Sequence, residues 1–183
     1  MKTVFVTVGT TKFPKLVDTI TTLDVIKTLK NLGYDNVQIQ TGKDFHKPNI
    51  DPLLKNVTVN LQEQSWAVKL LDFDVTINYN TYFDNFEEQI RKADLVISHA
   101  GAGSCLDVLR LKKPLIVVTN EDLMDNHQTE LAEQLQKDKH LFFCNCNTLV
   151  DTLHKDFINL VPHPQPDKNL FSNYLDKCCG FVQ

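Results

Sequence analysis

The chain has 183 residues, enough for one domain with a full core, and its 42% hydrophobic and 23% charged content is ordinary for a globular protein. Its formal charge of −4, from 23 acidic and 19 basic residues of which only Arg91 and Arg110 are arginines, leaves no basic stripe for nucleic acid. Apolar runs such as Leu115 to Val118 are too short to cross a bilayer, and Met1 to Val6 enters a strand pattern without a signal-peptide core, so a cytosolic location is expected.

Val4 to Val8 is a β-branched and aromatic run closed by Gly9, and it reads as a buried first strand. A loop follows to Pro14, which suits the first turn of a helix to about Leu32. Leu16, Ile20, Leu23, Ile26 and Leu29 give that helix an apolar face, Gly33 stops it, and the β-branched pair Thr21-Thr22 is its weak point. Val37 to Thr41 is a second strand ended by Gly42. Lys43 to Lys55, with two prolines and mixed charge, reads as an irregular loop. Val57 to Leu61 and Val75 to Tyr79 alternate like short strands, and the stretch from Gln62 to Leu71 between them reads as a loop or a short helix.

Regularity then returns. Phe83 to Lys92 is a helix, Leu95 to Ser98 a strand, Ser104 to Leu111 a helix and Leu115 to Thr119 a strand. His127 to Lys137 is a helix carrying Leu131 and Leu135, Leu141 to Cys144 a short strand, and Leu149 to Asp156 a helix. Strands alternating with helices predict an α/β, Rossmann-like parallel sheet with helices on both faces. Residues 161–167 contain three prolines and form a linker to an appended helix, Leu170 to Val182. The expected organisation is a domain over 1–160 and a linker with a docking helix over 161–183. Five cysteines, an odd number without zinc spacing, fit reduced thiols, and no metal site is expected.

The run Leu95-Val-Ile-Ser-His-Ala-Gly-Ala-Gly-Ser104 leaves a strand, turns on glycines and enters a helix. Unpaired amides at such a helix start, with the positive end of its dipole, suit a phosphate or diphosphate. His99, Gly101, Ala102, Gly103 and Ser104 would face it, and Asp107, one turn on, would reach a ribose. Gly9, Thr10 and Thr11 close the first strand at the same carboxyl edge, where ligands of open α/β sheets bind. Asn126, His127 and Gln128 follow the next strand, and their donors and acceptors suit a sugar; an ordinary helix cap is the plainer reading. A dinucleotide fingerprint also stays open at this point, because Glu121 falls about 20 positions beyond the turn, although Leu106 stands where a third glycine belongs. A Walker pattern is absent.

Val6-Thr-Val-Gly-Thr-Thr-Lys-Phe13, Val96-Ile-Ser-His-Ala-Gly-Ala-Gly-Ser-Cys-Leu106 and Asn126-His-Gln128 together resemble glycosyltransferase family 28. Within it, the likeness is to the catalytic subunits that add the second N-acetylglucosamine to a dolichol-diphosphate-linked acceptor, and it covers about residues 1–155. The chain is also similar to the donor-binding half of MurG-type enzymes, which have the two-domain GT-B fold. Asp107 stands where relatives usually have glutamate, and Pro14 where an acidic residue is common.

The resemblance implies UDP-N-acetylglucosamine as donor, a dolichol-linked acceptor and an inverting β-1,4 transfer in N-glycosylation. Under it the diphosphate is held by His99, Gly101, Gly103 and Ser104, the ribose by Asp107, and the donor sugar by Asn126, His127 and Gln128. No cofactor and no metal are implied. His127 is the one side chain offered as a catalytic group, and the general base is assigned to a partner. That partner is a membrane-anchored, acceptor-binding subunit on the cytosolic face of the endoplasmic reticulum; the appended helix, outside the likeness, is the candidate docking element through Leu170, Phe171, Tyr174 and Leu175. Asp72-Phe-Asp74 has the D-x-D form of metal-dependent glycosyltransferases but precedes a strand at the wrong edge, and a solvated loop is expected there.

Overall fold

A computed structural model describes residues 1–42, 50–61, 65–120, 126–164 and 168–181. Among these, eight strands form one sheet: β1 (Lys2–Thr7), β2 (Tyr34–Gln40), β3 (Val57–Leu61), β4 (Ser65–Leu70), β5 (Val75–Asn80), β6 (Leu95–His99), β7 (Leu115–Thr119) and β8 (Phe142–Asn145). The helices are α1 (Pro14–Ile20), α2 (Leu23–Asn31), α3 (Phe86–Lys92), α4 (Ala102–Arg110), α5 (Asn126–Lys137), α6 (Leu149–Leu153) and α7 (Lys168–Cys178). Spatial order is β3-β4-β5-β2-β1-β6-β7-β8. From β5 to β8 every neighbour is parallel, while β4 is antiparallel to both β3 and β5.

Strand alternation divides the core into two layers. On one face Val4, Val6, Val37, Ile39, Ile77 and Tyr79 pack under Leu16, Ile20, Ile26 and Leu29 of α1 and α2 and Leu149 and Leu153 of α6. On the other face Phe5, Val96 and Val117 pack under Ile90 of α3, Cys105, Val108 and Leu109 of α4, and Ala132 and Leu135 of α5. Phe5 also meets Phe83 and Phe86 edge-on, at centroid separations of 5.8 and 5.7 Å.

The expected first helix is divided where the threonines stand. Thr21 and Thr22 donate their hydroxyls back to the carbonyls of Asp18 and Thr19. The Asp51 carboxylate then accepts from the Leu23 N–H at 3.0 Å, satisfying a free donor at the start of α2. The helix expected from Phe83 begins at Phe86, because Asn85 accepts from the Glu88 N–H and caps it.

Gln62 to Leu71 is a correction. Residues 62–64 lie outside the described residues, and the rest is neither loop nor helix but strand β4. Val68 and Leu70 point into the core, Lys69 points out, and the pairing Val68↔Ile77 and Leu70↔Val75 fixes that register. The tail helix ends at Cys178, short of Val182, because Gly180 adopts a left-handed φ of 74° and the Phe181 N–H bonds the Asp176 carbonyl. Asp72 and Asp74 form a turn: Asp72 accepts from Asn56 Nδ2 at 2.7 Å, and Asp74 pairs with Lys69 at 3.4 Å. Among the described residues no helix is long and apolar enough to cross a membrane.

Candidate functional site

Strand order reverses at the boundary between β1 and β6. The chain moves from β1 to β2 on one side and from β6 to β7 and β8 on the other. At such a switch point the following loops part and leave a crevice at the carboxyl edge. Both glycine-bearing loops singled out in the sequence leave the sheet there: Gly9 just after β1, and the turn from Ala100 to Gly101 just after β6.

One imidazole joins the two loops. His99 is buried, at 9% exposure, and a Cβ added to Gly9 would lie 2.5 Å from its Cε1. A Cβ on Gly101 would come closer still to Nε2. Gly9 also has a φ of 61°, a conformation that glycine adopts at no steric cost. Burial pushes the His99 pKa down, partly offset by the Thr7 backbone, so the ring is neutral at neutral pH. Its Nδ1 is buried without a hydrogen-bond partner among the described residues.

The start of α4 is chemically open. Gly101 supplies no side-chain cap, and no acidic residue lies in the first turn. Ala102 and Gly103 are exposed, with Ser104 half-buried beside them. A Cβ on Gly103 would meet nothing within 4 Å, so this glycine, unlike Gly9 and Gly101, is not required by any neighbour in the fold. A glycine inside a helix destabilises it by about 1 kcal/mol relative to alanine.

The Gly9 loop is braced from several directions. Its N–H donates to Thr7 Oγ1 at 3.0 Å, and its carbonyl accepts from Gln40 Nε2 at 3.2 Å. The Thr11 hydroxyl donates to the Val8 carbonyl at 2.9 Å, so that proton closes the turn; Thr10 is exposed. Gly42, with φ of 81°, lets the neighbouring chain pass, since a Cβ there would fall 2.5 Å from the Thr11 carbonyl oxygen. Sequence reasoning missed Gln40 and Gly42, which act on the site as positioning residues from the end of β2.

Asp107 sits half-exposed on α4, 3.4 Å from Arg110, and borders a cavity of about 350 Å³ lined also by Phe86, Glu87 and Leu111. Asn126, His127 and Gln128 form the first turn of α5, and their side chains lie outside the described residues. The same holds for Leu170 and Phe171 in α7, whereas Tyr174 and Leu175 are exposed. Glu121, the acidic residue of the dinucleotide alternative, also lies outside the described residues.

Comparison with known proteins gives the family and the fold. Residues 3–170 match the family model described as "Glycosyltransferase family 28 C-terminal domain". A human relative named "UDP-N-acetylglucosamine transferase subunit ALG13" is 44% identical over 149 residues, covering 81% of this chain and 11% of the relative; the chain thus spans about a ninth of that protein's length. An NMR structure of ALG13 superposes with a TM-score of 0.70 at 29% identity, covering 95% of this chain and 94% of that one. Acinetobacter baumannii MurG superposes with a TM-score of 0.58 at 18% identity, covering 97% of this chain and 49% of MurG, a likeness of fold.

Proposed function

The chain belongs to the glycosyltransferase family 28 C-terminal domain family, and from that premise we propose that it is the donor-binding catalytic subunit of a two-part enzyme. Its donor is UDP-N-acetylglucosamine, and its acceptor is a dolichol-diphosphate-linked N-acetylglucosamine. The reaction is an inverting β-1,4 transfer, the second step of lipid-linked oligosaccharide assembly. The observation that carries this reading is the uncapped start of α4 beside the Gly9 loop, with an unrequired glycine at position 103.

The residues supply the chemistry as follows. Amides of Ala102, Gly103 and Ser104, with the helix dipole behind them, hold the diphosphate, and Thr10 and the neutral His99 ring flank it. Asp107 accepts from the ribose hydroxyls, and Asn126, His127 and Gln128 take the sugar. When the acceptor hydroxyl attacks the anomeric carbon, its new C–O bond forms as the bond to UDP breaks, and negative charge collects on the departing diphosphate. Amides already oriented toward that charge need no reorganisation, and each is worth about 3 kcal/mol of barrier. No metal enters this scheme. The base that takes the acceptor proton belongs to the partner.

The described residues form one Rossmann-like half of a GT-B arrangement, and the relatives' names speak of a subunit. A membrane-anchored acceptor-binding subunit supplies the other half in this reading, and the segment beyond residue 160 docks to it through α7, where Tyr174 and Leu175 are exposed, and through Phe181 just after it. The complex works on the cytosolic face of the endoplasmic reticulum. Calorimetric titration of the isolated chain with UDP-N-acetylglucosamine should show weak binding without turnover. Co-expression with the membrane subunit should yield transfer to a lipid-linked acceptor analogue. Full activity from the isolated chain, or binding of NAD in preference to the sugar nucleotide, would overturn the reading.

A further inference from the structure

Away from the α4 cradle, the sheet face that carries α3 changes character beyond β1. Where β1 shows Phe5 to the helices, the adjoining strands show amides: Asn36 and Gln38 from β2, Asn78 and Asn80 from β5. Asparagine is depleted in strands, so this concentration is not explained by strand propensity. The amides are already ordered among themselves. Gln38 Nε2 donates to Asn80 Oδ1 at 2.8 Å, Asn78 Nδ2 donates to Asn36 Oδ1 at 3.0 Å, and Asn36 Nδ2 donates to Thr3 Oγ1 at 3.3 Å.

This patch is concave. Gln38, Asn78 and Asn80 floor a cavity of about 470 Å³, with Phe83 and Gln89 on the α3 side and Asn60 and Ala67 on the β3–β4 side. Its size lies within the range of about 300–1,000 Å³ usual for small-molecule sites. Among the described residues, none that lines the cavity is charged. Each amide offers two N–H donors and a two-lone-pair acceptor, and the bonds above occupy only part of that capacity.

We infer that this cavity binds an uncharged saccharide. Paired donors and acceptors on planar amides match vicinal hydroxyls and acetamido groups, and the Phe83 ring offers an apolar wall to the C–H side of a pyranose. The prior hydrogen bonds hold the amides in place, so little side-chain freedom is lost on binding. The site lies on the β5 side of the sheet, separate from the diphosphate cradle at α4, and it does not depend on that assignment.

The test is an amide-resolved NMR titration of the full chain with N,N′-diacetylchitobiose, cellobiose and, separately, UDP-N-acetylglucosamine. Saturable shifts of the Gln38, Asn78, Asn80 and Gln89 side-chain signals with a disaccharide are expected. Gln89→Ala, which leaves the strand ladder intact, and Asn78→Leu should each raise the disaccharide dissociation constant by about tenfold without moving the thermal midpoint much. UDP-N-acetylglucosamine binding, read at Gly101 to Asp107, should be unchanged in both. Shifts confined to the α4 cradle, equal affinity in both variants, or a response of these signals to a protein partner and to neither sugar would each overturn the site. Loss of the UDP-N-acetylglucosamine response alone would overturn the proposed function and leave this inference standing.

Discussion

The His99 imidazole fills the space that a side chain on Gly9 would need, 2.5 Å from the position of an added Cβ. Gly101 bounds the same ring on its Nε2 side. Gly9→Ala and Gly101→Ala must therefore displace a buried ring, and Gly9→Ala also forces alanine to a φ near 61°. Each should destabilise the fold by roughly 1–3 kcal/mol in urea unfolding.

Gly103→Ala should do the opposite to stability and should weaken binding. With open space around its Cβ, alanine there should raise unfolding free energy by about 0.5–1 kcal/mol. It should also weaken UDP binding by about tenfold or more, because the methyl group intrudes where a diphosphate must approach. Unchanged affinity, measured by calorimetry, would remove Gly103 from the site.

Asp107→Ala should weaken UDP and UDP-N-acetylglucosamine alike, by about tenfold for a lost charge-assisted hydrogen bond. His127→Ala should weaken the sugar nucleotide more than UDP. A parallel titration of both ligands against both variants separates ribose from sugar contacts.

His99 makes stability depend on pH. Its folded pKa lies below the unfolded value, so the folded state binds fewer protons in that interval. Its contribution is present above about pH 6.5, the ordinary histidine value, and is lost as pH falls through that value toward the folded one. His99→Gln should flatten the decline of denaturant midpoint between about pH 7.5 and about pH 5.5 relative to the unsubstituted chain.

Thiol reactivity should split the cysteines. Burial raises the Cys105 thiol to about 12 and the Cys144 thiol to about 11, and Cys146 is also buried. Cys178 and Cys179 are exposed on and just after α7. Brief alkylation of the native chain should label those two alone, as read by peptide mass spectrometry. Labelling of Cys105 at a similar rate would mean that α4 opens readily.

Much of this architecture was legible because its signals are local. Periodicity gave the parallel strands, β-branched Thr21-Thr22 marked the break between α1 and α2, and glycines after two strands marked the carboxyl edge. What stayed hidden depends on distant partners. Strand β4 contains Ser65-Trp-Ala67, whose pairing with β5 follows from tertiary register and not from a clean alternation. Gln40 and Gly42 serve a loop some thirty residues earlier, and Asp51 caps a helix 28 residues before it. The end of α7 was legible in Gly180, but the apolar pattern continuing to Val182 outweighed it.

The adjacency of β1 and β6, registered as Val4 with Leu95 and Thr7 with Ser98, brings together chain segments made far apart during synthesis. In the proposed donor site neither loop would enclose a phosphate by itself, and His99 is not sheltered until both are present. A fragment that lacks either strand has no recognition surface to offer a nucleotide. Under the proposed function, occupancy by ligand would report completion of the central sheet, and a nucleotide added during refolding should act on its last long-range closure rather than on any early helix.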